Sequence, residues 1–306
     1  MSLALLFPGQ GTQHAGMLPW LDAQAAAQTT LAQLAADVGA DWRQRLAEPA
    51  WANSNAVAQI LLTATSVAAW QCLAPLLPTP AVVAGYSVGE LPAFCAAGVY
   101  SAATALQLAR IRAASMSASV AGLSTGLLAV QGLSAAGIAA VCRDHGLAVA
   151  IELAADRVVL GGPDTALQAA QTALNAAGAH TTRLAVGLAS HTPWMAAAAQ
   201  RFAAHLRGVG FTAPRCALVC NLGGSALRLP ADLQQALAAQ IDHTVRWSAC
   251  LDTVAERGVR CVLEVGPGTT LSRLWAERGS AVPARSIDEF RSPAAVARWV
   301  LSALAG

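Results

Sequence analysis

The stretch Ala81-Val-Val-Ala-Gly85-Tyr86-Ser87-Val88-Gly89-Glu90-Leu91 joins an apolar run to residues that are compatible with a helix. The run predicts a buried strand over Ala81–Ala84. The following Gly-Tyr-Ser-Val-Gly has the G-x-S-x-G pattern of a nucleophile elbow, in which two glycines allow a crowded turn that exposes the serine hydroxyl. The pattern therefore predicts an α/β fold with Ser87 as the nucleophile; an ordinary strand-to-helix turn is the alternative.

A second apolar strand with a glycine-rich loop begins near the amino end. Leu3–Phe7 is a short apolar run, and Pro8-Gly9-Gln10-Gly11-Thr12-Gln13 follows it directly. A buried strand that ends in such a loop commonly presents backbone donors at the carboxyl edge of an α/β sheet. No Gly-Lys-Ser/Thr follows, which argues against a phosphate-binding P-loop, and a plain turn is the simpler alternative.

A serine nucleophile needs a base within hydrogen-bond reach, and histidine is the usual base at neutral pH. Among the six histidines, His191 in Ser190-His191-Thr192-Pro193-Trp194-Met195 is the candidate; the others are His14, His145, His180, His205 and His243. By position alone, a structural histidine is the simpler interpretation of His191. Its assignment as a base therefore depends on the rest of the sequence.

A charged residue stands out in the helix that the pattern predicts over Ala102–Ser119. Leu108 and Ile111 lie on its apolar side, and Arg112 neighbours that side. A surface arginine is the simpler interpretation. A buried one would need a carboxylate, which the guanidinium group is well shaped to bind through two parallel hydrogen bonds.

Together these segments resemble the malonyl-CoA:acyl carrier protein transacylases. The similar segments follow the family's order over nearly the whole chain: Phe-Pro-Gly-Gln-Gly-x-Gln (7–13), Gly-x-Ser-x-Gly-Glu (85–90), Arg-x-x-x-Met (112–116), His-x-x-x-Met (191–195) and Gln-x6-Trp (240–247). Five ordered matches are far more specific than any single one.

The resemblance implies a catalytic role for four positions. Ser87 would be the acylated nucleophile, and His191 would be its general base and later its general acid. The backbone N–H groups of Gln10 and Val88 would form the oxyanion hole. A ping-pong exchange of the acyl group between two thiols follows from these roles.

Three further positions are implied to bind substrate or to support the base. Arg112 would pair with the free carboxylate of the malonyl group, and Gln59 would lie near the acyl site. The backbone carbonyl of Gln240 would orient the ring of His191. The resemblance implies malonyl-CoA and an acyl carrier protein as partners, and neither a metal nor a cofactor.

Two features resemble one branch of the family, the epsilon subunit of bacterial malonate decarboxylase. The first is Tyr86 together with Val88, where position 86 departs from the histidine of the commoner elbow, and the second is the tail over residues 284–291, which reads Ala-Arg-Ser-Ile-Asp-Glu-Phe-Arg. That branch implies malonate decarboxylase subunits as partners, including a carrier with a dephospho-CoA-type group. The malonyl transacylase of fatty-acid synthesis is the alternative. A serine thioesterase or hydrolase and a non-catalytic carrier-docking subunit are alternatives of other classes.

The order of predicted elements indicates a small domain inserted in a large one. Between residues 124 and 186 the pattern predicts a β-α-β-β-α-β unit, which is the ferredoxin-like order. Residues 1–123 and 187–306 would form a large α/β-hydrolase-like domain with a parallel sheet, including helices over Asp22–Ala36 and Val57–Ala74. Ser87 and His191 flank the insertion, so we expect a cleft between the domains.

Composition narrows the remaining function classes. Of the 306 residues 55% are hydrophobic and 12% charged, the net charge is +2, and every basic residue other than histidine is arginine. No basic run indicates nucleic acid, and the absence of lysine excludes lysine Schiff-base chemistry. The sequence has no apolar run of about 18 residues free of polar residues. No basic signal region precedes the first strand either, so we expect a cytoplasmic protein without membrane contact. The seven cysteines include no C-x-x-C pair, and no metal site is expected.

Overall fold

A computed structural model describes residues 2–305. Positions 1 and 306, the outer ends of the predicted large domain, lie outside the described residues. The strands are β1 Leu3–Phe7, β2 Val82–Gly85, β3 Thr125–Gln131, β4 Ala148–Ala154, β5 Arg157–Pro163, β6 His180–Arg183, β7 Ala217–Cys220, β8 Ser225–Leu227, β9 Val245–Arg246, β10 Cys261–Glu264 and β11 Ala284–Ser286.

The helices alternate with these strands through most of the chain, as in other α/β proteins. They are α1 Gln28–Val38, α2 Trp42–Arg45, α3 Pro49–Ala52, α4 Asn55–Leu73, α5 Glu90–Ala96, α6 Ala102–Ser119, α7 Ala135–His145, α8 Asp164–Ala176, α9 Ala196–Leu206, α10 Pro230–Ala239, α11 Trp247–Glu256, α12 Thr270–Ala276 and α13 Pro293–Ala305.

The larger sheet has the strand order β11-β10-β1-β2-β7-β8. Its neighbours pair in parallel except β7 and β8, which are antiparallel. The carboxyl ends of β1, β2, β7 and β10 therefore lie at one edge of the sheet. The loop after Phe7, the elbow after Gly85 and the residue after Cys220 meet there, as ligand-binding loops of open α/β sheets do.

Both faces of the larger sheet are buried, which explains why its strands are apolar throughout. Along β1, Leu3, Leu5 and Phe7 face one hydrophobic core, whereas Ala4 and Leu6 face another. The first core contains residues of α1, α4, α6, α9 and α13, and the second contains residues of α11 and α12.

The smaller sheet has the strand order β6-β3-β5-β4-β9. The predicted β-α-β-β-α-β order of elements is present as β3-α7-β4-β5-α8-β6, and these four strands pair antiparallel. The fifth strand, β9, comes from the later part of the chain and pairs in parallel with β4. The smaller sheet is therefore completed by a segment outside residues 124–186.

The two sheets share hydrophobic packing. Leu127, Ala150 and Val159 of the smaller sheet belong to the same buried cluster as Leu6 of the larger one. Leu128 and Leu160 face the other way and pack against residues of α7 and α8. One face of the smaller sheet is thus covered by its own helices and the other by the body of the protein.

Helix α4 is a long core helix that contacts the elbow turn. It is the one helix within residues 2–305 that is long and apolar enough to cross a membrane by length and composition, and 78% of its apolar window is buried. It packs against α1 and α6 and contributes to the first hydrophobic core. We interpret it as a core helix, for which the same composition is expected.

The helix predicted over Asp22–Ala36 is wrong in its first part. Residues Pro19–Ala23 and Ala25–Ala27 form two 3-10 turns, and the α-helix begins at Gln28. The break lies at Gln24, whose backbone is extended with φ −96° and ψ 118°. The other predicted helix near the site, Val57–Ala74, is present as α4 with bounds shifted by one or two residues.

Candidate active site

The elbow after β2 is a strained turn that glycine makes possible. Ser87 has a φ of +55°, a conformation that residues with a Cβ rarely adopt. A Cβ at Gly85 would lie 2.1 Å from the carbonyl oxygen of Gly89, and a Cβ at Gly89 would lie 2.2 Å from that of Phe7. Both positions therefore need glycine, and the loop after β1 lies directly against the elbow.

The structure brings Ser87 and His191 together across 104 residues of sequence. The distance from Ser87 Oγ to His191 Nε2 is 2.7 Å, and both side chains are nearly buried, with 9% and 2% of their surface exposed. This is the geometry in which a histidine can accept the proton of a serine hydroxyl.

Two consecutive carbonyl groups hold His191 in place. Its ring Nδ1–H donates to the backbone carbonyl of Gln240 at 2.5 Å, and its backbone N–H donates to the carbonyl of Ile241 at 2.8 Å. His191 itself has a φ of +63°, so its backbone is also strained. Because Nδ1 carries the proton, Nε2 is free to accept the hydrogen of Ser87.

The environment of His191 favours the neutral ring. Burial, and to a smaller extent the positive charge of Arg112, lower its pKa from 6.5 to about 3, against the opposite effect of the hydrogen bond to Gln240. A neutral imidazole is the form that can act as a base, so the site keeps His191 competent over the whole physiological pH range.

The backbone N–H groups near Ser87 differ in whether they are already bonded. That of Ser87 donates to the Asn221 side-chain oxygen at 2.8 Å. Among the hydrogen bonds of residues 2–305, none uses the backbone N–H of Gln10 or of Val88. A Cβ at Gly9 would lie 2.7 Å from the carbonyl oxygen of Tyr86, so the Gln10 loop touches the elbow. These two backbone N–H groups therefore have no partner among the described residues beside the elbow.

Arg112 is fully buried beside the serine. Its Nη1 donates to Gln59 Oε1 at 2.7 Å, and its Nη2 lies 3.3 Å from Gln240 Oε1 and 3.5 Å from Ser87 Oγ. Its Nε has no hydrogen-bond partner among the described residues. Neutral amides therefore hold a guanidinium group that keeps donors free close to the nucleophile.

One carboxyl group influences Arg112 from a distance. Burial lowers the pKa of Arg112 to about 10, and the charge of Glu90 partly opposes that shift. Glu90 is itself fully buried, and burial raises its pKa to about 8. No ion pair joins these two residues within the described chain. Arg112 remains charged at neutral pH without a bound carboxylate of the protein.

A cavity of about 470 Å³ reaches His191 from the side of the smaller sheet. Its lining consists of Ala148, Val149, His191, Pro193, Ala196, Asp242, His243 and Thr244. Thr244 Oγ1 donates to the carbonyl of Val149 at 2.7 Å, so the segment after Gln240 is tied to β4 at the cavity wall. The cavity therefore lies between the start of β4, the segment around His191 and the segment after Gln240.

The residues that distinguish the suggested branch lie around the elbow and at the sheet edge. Tyr86 packs edge-on against Trp247 with ring centroids 5.1 Å apart. The tail over residues 284–291 forms β11 and a 3-10 turn at the edge of the larger sheet. The Tyr86–Trp247 contact joins the elbow to the start of α11.

A hydrolase-type acid is not found at the base. Of the four acidic residues between Ser87 and His191 in the smaller unit, Asp164 binds Arg183 and Ser124 instead. Within residues 2–305 the Nδ1 of His191 bonds a backbone carbonyl, and no carboxylate bonds either ring nitrogen. A Ser-Asp-His triad of the α/β-hydrolase type is therefore absent from the described site.

Two residues of the site were not found from the sequence. Asn221 follows β7 and bonds the backbone of the elbow, and Glu90 accepts the N–H of Asn221 at 2.7 Å. The signal for Asn221 was a polar residue directly after an apolar strand, at the same sheet edge as the elbow. Glu90 was visible as the last residue of the elbow segment, but nothing in the sequence indicated a role for it.

Comparisons with known proteins point to one family. The model of the acyl transferase domain family matches residues 4–289. The malonyl CoA-acyl carrier protein transacylase of Mycobacterium tuberculosis (strain ATCC 25618 / H37Rv) is 35% identical over 297 residues, with 95% of this chain and 97% of that protein covered.

Solved structures show the same similarity. The crystal structure of an acyl-carrier-protein S-malonyltransferase from Burkholderia pseudomallei 1710b superposes with a TM-score of 0.89 at 28% identity, covering 97% of this chain and 100% of that one. A malonyl transacylase in complex with a type II polyketide synthase acyl carrier protein has a TM-score of 0.87 at 29% identity, covering 94% and 96%.

Proposed function

The chain belongs to the acyl transferase domain family, and on that premise we propose that it transfers a malonyl group from malonyl-CoA to the thiol of an acyl carrier protein. The observation that carries the proposal is Arg112. It is a buried guanidinium group whose Nη2 lies 3.5 Å from Ser87 Oγ and whose hydrogen-bond partners are neutral. A malonyl group on Ser87 would bring the carboxylate that these donors lack.

In the first half-reaction, Ser87 Oγ attacks the thioester carbon of malonyl-CoA while its proton passes to His191 Nε2. The negative charge that develops on the carbonyl oxygen is stabilised by the backbone N–H groups of Gln10 and Val88. Collapse of this intermediate breaks the carbon–sulfur bond. The CoA sulfur takes the proton from His191 and leaves, and the malonyl ester of Ser87 remains.

The second half-reaction is the reverse with another thiol. His191 removes the proton of the carrier thiol, whose sulfur attacks the ester carbon, and Ser87 leaves with the proton that His191 returns. Gln240 supports both halves, because its carbonyl fixes the ring tautomer and its side chain contacts Arg112. Gln59 holds the other end of the guanidinium group.

The relatives favour the malonyl transacylase alternative over the malonate decarboxylase branch. Those described above are named for malonyl transfer to an acyl carrier protein, and one is a complex with a polyketide carrier. We therefore take a carrier of fatty-acid or polyketide synthesis as the acceptor. The carrier of malonate decarboxylase becomes a second arm of the test.

We also interpret the architecture as a hydrolase-like body, residues 1–123 and 187–306, with a ferredoxin-like insertion over 124–186. The strand order and the antiparallel pairing of β3 to β6 support the second description. The parallel sheet with its elbow after β2 supports the first. A cytoplasmic location is part of the same proposal.

The function is tested by intact mass after brief incubation with malonyl-CoA. We expect a malonyl adduct on the native protein and on the control Ser225→Ala, whose serine lies exposed on β8, and none on Ser87→Ala. The loaded protein is then mixed with a fatty-acid-type carrier and, separately, with a malonate decarboxylase carrier. Free malonate without an adduct would indicate a hydrolase, and absence of both adduct and turnover would indicate a docking subunit.

A further inference from the structure

Asn221 connects the end of β7 to the nucleophile elbow through its whole amide group. Its Oδ1 accepts the backbone N–H of Ser87 at 2.8 Å, and its Nδ2 donates to the carbonyl of Gly85 at 2.6 Å. Its own backbone is equally occupied: the N–H donates to Glu90 at 2.7 Å, and the carbonyl accepts from Arg246 at 3.0 Å. The residue is fully buried.

We propose that Asn221 is a positioning residue that holds Ser87 in its strained conformation and decides which backbone N–H groups serve the oxyanion; this rests on the proposed function. One planar amide bridges the residues on either side of Tyr86, so it fixes the direction in which the chain leaves β2. The positive φ of Ser87 persists because this bridge and the two glycines determine the turn.

The second part of the role concerns the oxyanion. Since the Ser87 N–H is bonded to Asn221, it is not available to the substrate, whereas that of Val88 is free among the described residues. Loss of the bridge would let the Ser87 backbone turn and would leave two buried polar groups unpaired. The hydroxyl would then move away from His191, which lies 2.7 Å from it.

Asparagine suits this position because the site needs one acceptor and one donor. An ionised aspartate at position 221 could still accept the hydrogen bond from the Ser87 backbone N–H. Its second carboxylate oxygen, however, would face the carbonyl oxygen of Gly85 with no hydrogen between them, and only a protonated carboxyl group could donate there. The titratable groups around this amide are Glu90, Cys250, whose Sγ lies 3.9 Å from Nδ2, and the adjacent Cys220. A protonated aspartate has one acceptor and one donor, as asparagine has. If Asn221 positions Ser87, the rate of malonyl loading by Asn221→Asp should therefore depend on pH.

The test measures malonyl loading of Ser87 by rapid quench and intact mass for native protein, Asn221→Asp and Asn221→Ala, between pH 5 and pH 8. We expect loading by both variants to be roughly 10²-fold slower at pH 8 with KM for malonyl-CoA unchanged, the loss typical of a misplaced reacting group. The rate of Asn221→Asp should recover towards pH 5, whereas that of Asn221→Ala should not. Asn175→Asp, a matched charge change on α8 of the smaller unit, should follow the native profile.

Three results would overturn the proposal. They are loading by both variants within threefold of native, an Asn221→Asp rate that does not rise on acidification, and a change confined to KM.

Amide hydrogen exchange in the unmodified protein gives an independent test that does not depend on the variants folding. The Ser87 amide should exchange slowly because it is bonded to Asn221, and an amide that exchanges as fast as that of Val88 would contradict the bridge.

Discussion

Replacing Arg112 by alanine should remove the preference for malonyl over acetyl groups. The guanidinium group is 0% exposed, so a malonyl carboxylate in the variant would be buried without its partner. Breaking a buried charge pair in this way costs about 3–5 kcal/mol, which corresponds to a loss of roughly 10²- to 4 × 10³-fold in malonyl loading. Acetyl loading should change little, because an acetyl group has no charge to pair.

The assay compares the rates at which malonyl-CoA and acetyl-CoA load Ser87, followed by intact mass after rapid quenching. Arg110→Ala is the matched control. Arg110 lies on the same helix, but its guanidinium group pairs with the carboxylate of Asp37 at a distance of 2.5 Å and does not contact Ser87. Arg112→Ala also removes the donor that lies 2.7 Å from Gln59 Oε1 and leaves that oxygen unpaired, so the thermal unfolding of the variant is measured in parallel.

The reasoning fails if Arg112→Ala keeps the native ratio of malonyl to acetyl loading while it remains folded. Equal slowing of loading by malonyl-CoA and acetyl-CoA would show that Arg112 acts by positioning Ser87 and His191 and not by binding a carboxylate. The malonyl assignment would then lose its basis. Comparable use of both acyl groups by the unmodified protein would have the same consequence.

Three further outcomes are expected. Because burial lowers the pKa of His191 to about 3, kcat/KM should stay level from pH 7 to about pH 4, and a decline centred near 6.5 would show that the base is solvated. Burial raises the pKa of Glu90 to about 8, so the stabilisation that its protonated form provides is complete below pH 4.5 and is lost as the pH rises towards 8. Glu90→Gln should therefore flatten the decline of the melting temperature over this pH range. An unchanged pH dependence in the variant would refute the assignment. Gly89→Ala places a Cβ 2.2 Å from the Phe7 carbonyl and should destabilise by about 1–3 kcal/mol in denaturant unfolding, whereas Gly187→Ala, with nothing within 4 Å, should not; equal stability of the two would contradict the tight elbow.

Much of the fold followed from local patterns in the sequence. The strand Leu3–Phe7 and the helix Ala102–Ser119 have the predicted bounds, because apolar runs and helical spacing are properties of short segments. The 3-10 turns near Pro19 were not predictable in this way. The segment enters them at Leu18, whose backbone N–H is bonded to Asp288, a residue 270 positions away.

The site was predictable to the extent that its residues follow strands or occur in known motifs. The burial of Arg112 was not, because its helix pattern placed it only beside the apolar side. Its charge is accommodated by Gln59 and Gln240, which come from other parts of the chain. Asn221 escaped notice for a related reason: a single asparagine after an apolar strand has many ordinary explanations, and its significance depends on pairing with Ser87 134 positions away.

The short strand β9 limits how the protein can handle a large acyl carrier. It pairs with β4 a few residues after Gln240 and Ile241, the two residues that hold His191. Swinging the smaller sheet outward would break this pairing and pull on the segment that orients the base. We therefore expect the entrance to the site to keep a fixed width during turnover. The flexible arm of the carrier would then extend to Ser87 without closure of the two sheets around the carrier.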